Sequence, residues 1–454
     1  MPYSGLWIWW QHFNDRSAEA VHQAHLRHGP VVRLGPLELS ISAVEGGLDV
    51  IYSFKEAMPK TDWYQVANSY GEEPMVAIRD EGPHRARKKM LAQPYLKTTI
   101  RNNQHWINAQ QRLTKTLMSA LDKLATPSSD ADFYDLAFAW STDSITEYLF
   151  GPSASLDLLA DIPKARQTRE AYENQRAYQF LPLPSVLLHY MGYRPEIPWI
   201  LDMQQAAHDG PNTVYQHLSL GVKAAREQPG PKDTPLSAKE GAIVMSEMQD
   251  HMVAGIDTSA VVLTTCAWLL SLPSNQVWQR RLREELHSAG SPTSAAQLEP
   301  LPILDAVVKE VLRLHAPVAG GQPRKTPKSI DLGPPGHQIS VPAGVTVHSQ
   351  AQTLHRSSAY GDHGQFDPGR WLHSSPEVLA EMERWYWPFG SGSRACIGAQ
   401  LGMDNLKIAV ASLYGGLCTE LIEGSTFTLS QGVVAMPVSQ NGYHLRLRVR
   451  RIGR

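Results

Sequence analysis

Cysteine is scarce in this chain: three in 454 residues, at positions 266, 396 and 418. So few exclude a four-cysteine zinc site and speak against a disulfide framework. They suit reducing, cytosol-facing surroundings. A charge excess of either sign is missing as well. Lys+Arg number 42 against 44 Asp+Glu, a net charge of −2, so nothing in the balance calls for nucleic acid or an acidic polymer as partner. No uninterrupted apolar run reaches about 18 residues, and no transmembrane helix is encoded. The N-terminal block Leu6-Trp7-Ile8-Trp9-Trp10 closes at Gln11; it is too short for a signal-peptide core and has no basic flank before it. Its tryptophans suit a membrane interface, as a peripheral contact, or packing against the body of the protein equally well. There is no Gly-rich dinucleotide fingerprint, no internal repeat and no low-complexity tract.

What is present is apolar and mostly helical in period. At 42% hydrophobic residues the chain can bury a large core, and length alone allows two or three domains. Residues 30–35 and 37–42 read as two strands of a hairpin around Gly35-Pro36. From there to about residue 300 the spacing is helical, interrupted by polar, proline-bearing surface loops at 126–133 and 228–236. Ser237 and Glu240 form a capping box that opens the longest helix, which runs to Leu272 before Pro273. Its length is about 54 Å at 1.5 Å per residue, enough to cross a domain. After Pro317 come short extended stretches, among them 339–347, and residues 442–449 alternate as a terminal strand. The fold class expected is mainly α with a smaller β portion (α+β), in one integrated domain over residues 1–454. Cys266 and Cys418, in apolar contexts, read as core fillers.

Cys396 differs from them. It lies in Pro388-Phe389-Gly390-Ser391-Gly392-Ser393-Arg394-Ala395-Cys396-Ile397-Gly398, just ahead of a helical pattern through Leu406, Val410, Leu413 and Leu417. Glycines allow close backbone approach to a flat ligand and can turn several N–H groups onto one sulfur. A helix N-terminus biases that sulfur towards thiolate, and Arg394 can reach an anion beside the ligand. An axial thiolate on haem iron needs such surroundings. The string resembles the cysteine loop of the cytochrome P-450 family, Phe-Gly-x-Gly-x-Arg-x-Cys-x-Gly, at all six fixed positions. The bland reading, a buried inert cysteine in a turn, is the weaker one.

Further stretches resemble the same family in the same order. Ala254-Gly255-Ile256-Asp257-Thr258-Ser259, in the middle of the long helix, resembles its oxygen-activation motif. A Thr258 hydroxyl turned onto the carbonyl four residues back can open a bulge that holds a water, and Asp257 and Thr258 become the catalytic candidates. Alone, the stretch would read as an ordinary kinked core helix. Glu310 and Arg313 share a helix face and resemble the family's Glu-x-x-Arg. Taken by itself such a pair is commonly a surface feature. Phe366-Asp367-Pro368-Gly369-Arg370-Trp371 resembles the segment that brings a second arginine, Arg370, to that pair, with Gly369 where Glu is common. These three residues are assigned to scaffolding. His84 and Lys88, at i and i+4, and Arg324 occupy positions that imply haem-propionate binding with Arg394; Lys88 stands where Arg is usual. Arg85, Arg87 and Lys89 read as a solvated basic face. After the loop, Gly402 and Asn405 depart from the family pattern and should loosen the helix slightly.

The resemblance implies a prism-shaped P-450 fold with the long helix over haem b (iron protoporphyrin IX). Cys396 would be the metal ligand, with Phe389 and Gly398 as further cofactor-binding positions. It implies a monooxygenase that uses O2 and two electrons from NADPH, delivered by a separate reductase. The 85–89 stretch and Lys407 are candidates for docking that reductase. The style of the N-terminal third resembles filamentous-fungal enzymes of secondary metabolism. The expected substrate is an apolar or mildly polar small molecule bound by Val253, Ala254, Val318 and Val434, together with residues 64–80 and 165–205. A monomer is expected. The family's anchor segment is absent from this chain; the implied location is the cytosolic face of the endoplasmic reticulum if an anchor was removed, and the cytoplasm otherwise. A haem-thiolate isomerase or dehydratase, against which the Asp257-Thr258 pair argues, and a non-enzymatic haem sensor are the alternatives.

Overall fold

In the computed structural model, residues 4–55, 57–126, 132–176, 213–226 and 235–452 are described, together with Glu196, Ile197, Trp199 and Met203. Most of the two proline-bearing loops, and much of the 165–205 region, lie outside them.

The core is built around two helices. The longer one spans Ala238–Ser271, capped by Ser237 in a capping box with Glu240, and it is helical throughout. By length and composition it could cross a membrane, but 67% of its most apolar window is buried inside the protein; it is a core helix. Its main neighbour is Phe133–Phe150, every residue of which is buried. A helix buried all round must pair its polar groups internally. Its carboxylates are paired: Asp135 takes Arg166 and Arg169, Glu147 takes Arg112, and Asp143 accepts the N–H groups of Leu158 and Leu159, whereas the hydroxyls of Ser141, Thr142 and Ser144 are buried without a hydrogen-bond partner among the described residues. The two helices approach closely where Gly255 meets Ile145. A Cβ on Gly255 would lie 2.7 Å from Ile145 Cγ1, so this glycine serves helix–helix packing and not the bulge expected from the sequence.

The β portion is small. Strands β1 (Val31–Gly35) and β2 (Glu38–Ile41) form the expected hairpin, with Val31 opposite Ile41. β3 (Arg324–Lys325) and β6 (Thr346–His348) complete a four-stranded sheet of order β1-β2-β6-β3, in which β2 and β6 run parallel. β4 (Ile330–Leu332) pairs with β5 (Ile339–Val341). The stretch 339–347 is therefore two strands in two sheets, divided at Gly344, whose φ of +85° suits a turn. β7 (Leu417–Leu421) pairs with β8 (Leu447–Arg451). The terminal strand thus starts later than 442–449, because Asn441 and Gly442, at φ 54° and 83°, make a turn that bridges Gln440 to Tyr443. Cys266 is buried in the core helix, whereas Cys418 in β7 is only half-buried.

At the N-terminus, Leu6–Phe13 is a helix that buries Ile8 alone. Leu6, Trp7, Trp9, Trp10 and Phe13 are all exposed, which removes the reading in which these tryptophans pack against the body.

Candidate active site

The cysteine loop depends on glycine at two places. Gly390 and Gly392 have φ of 67° and 69°, and a Cβ on Gly392 would lie 1.9 Å from the Tyr52 carbonyl oxygen. A Cβ on Gly398 would stand 3.9 Å from Cys396 Sγ, an ordinary contact; the chain itself does not require glycine there. Cys396 N–H donates to Phe389 O at 2.8 Å, and the helix Ala399–Tyr414 starts immediately after with Gly398 as its N-cap. That helix is unbroken through Gly402 and Asn405, and Asn405 accepts from Gln110 at 3.3 Å. The Cys396 side chain is exposed where it meets the cavity, but the protein packed around it pushes its thiol above its ordinary pKa, and the Gly398 amide and Lys88 oppose this only in part. The thiolate bias expected of the loop is thus not a property of the protein alone. Coordination of a metal cation would deprotonate the sulfur outright.

Cys396 faces an internal cavity of about 350 Å³. The long helix lines the same cavity through Val253, Ala254, Asp257 and Thr258, as do Val318 and Val434, and Phe389 and Arg394 of the cysteine loop. All four residues expected to meet substrate line this one space. A larger cavity of about 750 Å³, lined by His12, Glu38, Lys60 and His348 among others, adjoins it at Trp63, Gly321 and Val433 but does not include the cysteine. Size does not decide between them; the chemistry sits in the smaller. Thr258 Oγ1 donates to Ala254 O at 2.7 Å, the back-bond expected of it, within an unbroken helix. Asp257 is buried and accepts from Tyr172 Oη at 2.8 Å.

The basic residues are distributed differently from expectation. Lys88 Nζ donates to the carbonyls of Ser393 (2.8 Å) and Ala395 (3.2 Å), bracing the cysteine loop from below. Arg394 gives its two terminal nitrogens to Ile78 O and Arg79 O, and its Nε lies 3.2 Å from Glu81 Oε2, off the hydrogen-bond direction. Arg324 is buried against the Tyr52 and Tyr64 rings and donates to Tyr64 Oη at 2.8 Å. His84 is buried with no partner on Nδ1; burial, then Arg394 and Lys60, lower its pKa to about 3. Lys60 was not foreseen. It is buried with Nζ donating to Val76 O (2.6 Å) and Met75 O (3.2 Å), and burial followed by Arg394 and Arg324 holds its pKa well below the lysine range.

An orphaned buried imidazole nitrogen among cations, one of which, Arg394, lines the cavity that holds the cysteine sulfur, fits a flat metal-bearing group with two carboxylates. His84, Lys60 and Arg324 would hold the carboxylates, and Cys396 the metal. The only signal for Lys60 in the sequence is its place in Lys60-Thr61-Asp62-Trp63-Tyr64.

Behind the cavity, Glu310 and Arg313 are fully buried. Glu310 accepts from Arg313 Nε and Nη2 (2.9 and 2.8 Å), Arg370 Nε (3.0 Å), Trp371 Nε1 (3.0 Å) and the Asp367 amide (3.0 Å). Arg313 also donates to the carbonyls of His355, His363 and Gln365. At Gly369, where Glu is common in the family pattern, a Cβ would lie 2.9 Å from Asp367 Oδ1 and 3.3 Å from the Trp278 ring, so a side chain there would require both neighbours to shift. Of the supposed docking cations, Lys407 is buried on Asp305 at 2.7 Å and Arg87 faces Glu247 at 3.4 Å. Arg85 and Lys89 are exposed.

A cysteine-ended cavity under a long helix, buttressed by a buried Glu-Arg-Arg cluster, defines a haem-thiolate protein. The family model for cytochrome P450 matches residues 202–424. A cytochrome P450 monooxygenase (stcB) of Emericella nidulans is 24% identical over 90% of this chain and 79% of its own length. Tryprostatin B 6-hydroxylase of Neosartorya fischeri is 26% identical over 90% and 73%. Pisatin demethylase of Fusarium vanettenii is 25% identical over 89% and 81%. The chain belongs to the cytochrome P450 family. Its cofactor is haem b, and its class is that of O2-dependent monooxygenases served by a redox partner.

Proposed function

We propose that this protein oxidises an apolar or mildly polar small molecule, an intermediate of a fungal secondary metabolite, with electrons from NADPH delivered by a separate reductase. The observation that supports this most directly is that Cys396 and the Ala254, Asp257 and Thr258 side of the long helix line one cavity, lined otherwise mainly by valine, leucine and proline side chains. Haem b bound there supplies reductive activation of O2. The protein supplies the rest. Cys396 ligates the metal, with Lys88 fixing the loop carbonyls on either side of Arg394 and the Gly398 amide aimed at the sulfur. His84, Lys60 and Arg324 would hold the haem carboxylates, while Arg394 ties the cysteine loop to the Ile78 and Arg79 carbonyls. Val253, Ala254, Val318 and Val434 exclude water and orient the substrate.

Thr258 Oγ1 donates to the Ala254 carbonyl, so its lone pairs are free to accept from a water that brings a proton to the oxygen site. Asp257, held by Tyr172, is the acid from which that proton is replenished. The exposed Arg85 and Lys89 remain as cations for reductase docking.

The test is the absorbance of the reduced, CO-bound protein. Thiolate ligation gives a strongly red-shifted Soret band, and Cys396→Ser should abolish it together with turnover. A histidine-type band, or an unchanged spectrum in the serine variant, would place the metal elsewhere.

A further inference from the structure

Asp250 is a second acid on the cavity wall. It stands four residues before Ala254 and eight before Thr258, so the three share one face of the long helix, and all three line the cavity. Asp250 and Thr258 are about 12 Å apart along the axis at 1.5 Å per residue. The same cavity is lined by Val66, Ala67, Val76 and Val253 and by Trp63 and Tyr64. A carboxylate in such surroundings is costly unless it is paired.

The other acids nearby are paired. Glu247, one turn earlier and fully buried, accepts from the Met75 amide at 3.0 Å through Oε2 and faces Arg87. Asp257 accepts from Tyr172. Among the described residues no ion pair forms on Asp250. It feels the Lys60 charge and the Val76 amide, but burial outweighs both and raises its pKa to about 7. Lys60 gives its hydrogen bonds to the carbonyls of Met75 and Val76. It also leans on the cofactor side of the site, where it and Arg324 would face the two haem carboxylates, while Arg394 faces Glu81. Asp250 therefore shares the Lys60 charge with the cofactor side of the site, and among the described residues no cation lies within ion-pair distance of it.

We propose that Asp250 is the polar anchor of the substrate site, and that the substrate carries a cationic amine received by its carboxylate. Trp63 and Tyr64, whose rings meet edge to face at 4.9 Å, line the same cavity; the Tyr64 ring already carries Lys60 and Arg324, so the carboxylate and not the aromatic pair is the cation-selecting element. Apolar walls grip the remainder of the molecule, and the 12 Å stripe from Asp250 to Thr258 sets how far from the amine oxidation occurs. This rests on the haem-thiolate reading of the cavity and adds a substrate class to it.

The experiment compares two probes on the holoenzyme: 4-phenylbutyltrimethylammonium, whose nitrogen has no lone pair to ligate iron, and its uncharged tert-butyl analogue. Dissociation constants are measured by calorimetry for the wild type and for Asp250→Asn. The wild type should bind the ammonium about tenfold or more tightly than the analogue. The asparagine variant should lose that preference while keeping its affinity for the analogue within about twofold. Equal affinities in the wild type, which needs no variant to fold, or a preference that survives in Asp250→Asn, overturns the proposal. The reduced CO spectrum of the same preparations reports separately on thiolate ligation, so failure of the anchor and failure of the haem reading give different results.

Discussion

Removing the Glu310 carboxylate is the sharpest test of how the haem site is held. Glu310→Ala takes five hydrogen bonds from one buried point: two from Arg313 and one each from Arg370, Trp371 and the Asp367 amide. Arg313 keeps its three carbonyl acceptors, so it cannot leave, and its charge remains in the core beside that of Arg370, whose side chain is 9% exposed. Breaking a buried pair in this way costs about 3–5 kcal/mol, a large part of a typical stability of about 5–15 kcal/mol. With about 2.1 cal/mol/K of unfolding entropy per residue over 454 residues, each kcal/mol lowers the Tm by about 1 °C, or about 3–5 °C in all. The control is Glu381→Ala, which breaks the Arg384–Glu381 pair with side chains 53% and 45% exposed; that should cost under about 1 kcal/mol. The assay is thermal unfolding together with haem content per protein. A Glu310→Ala protein with the control's Tm and full haem loading would refute the claim that this cluster carries the scaffold.

Two more outcomes can be checked directly. Thr258→Ala should keep haem content and the CO spectrum, since the back-bond to Ala254 is worth only about 1 kcal/mol. Product per NADPH should fall and hydrogen peroxide rise; unchanged coupling sinks the proton-delivery role. Asp143, away from the cavity, has its pKa raised to about 7, mainly by burial. The folded state therefore holds this proton more tightly than the unfolded chain, and stability from it is full below the ordinary carboxyl pKa and lost as pH rises towards 7. Wild type should lose thermal stability relative to Asp143→Asn between about pH 4 and pH 7; parallel Tm curves would show that the carboxyl does not titrate in that window.

Features fixed by neighbouring residues were legible in the sequence. The Ser237–Glu240 capping box and the β1–β2 hairpin formed as their local chemistry demands. What depended on residues distant in the chain was not. The stretch around Gly255 and Thr258 pointed to a bulge, and the spacing could not show that Ile145, from another helix, fills the space a Gly255 Cβ would take. Lys88 was read as a propionate ligand from its spacing to His84, but the spacing could not show that the Ser393 and Ala395 carbonyls would stand in front of it. Lys407 looked like a surface cation until Asp305 met it. Periodicity places a side chain on a face; packing decides what that face meets.

The cations show the same division in energetic terms. Lys60, Arg324 and Arg394 converge around His84 from a loop, a strand and the cysteine loop, and their charges add to burial in depressing the pKa of Lys60 and in keeping the His84 imidazole uncharged. A fold selected for stability alone would disperse them. Elsewhere buried charge is matched internally: Asp135 with two arginines, Glu310 with two more, Asp404 with Arg101. A site in which charge of one sign is concentrated beside a rigid, glycine-shaped loop breaks the rule that the rest of the core obeys. Local rules are broken where function requires it. The excess of positive charge here is of the sign and placement that a cofactor with two carboxylates would neutralise.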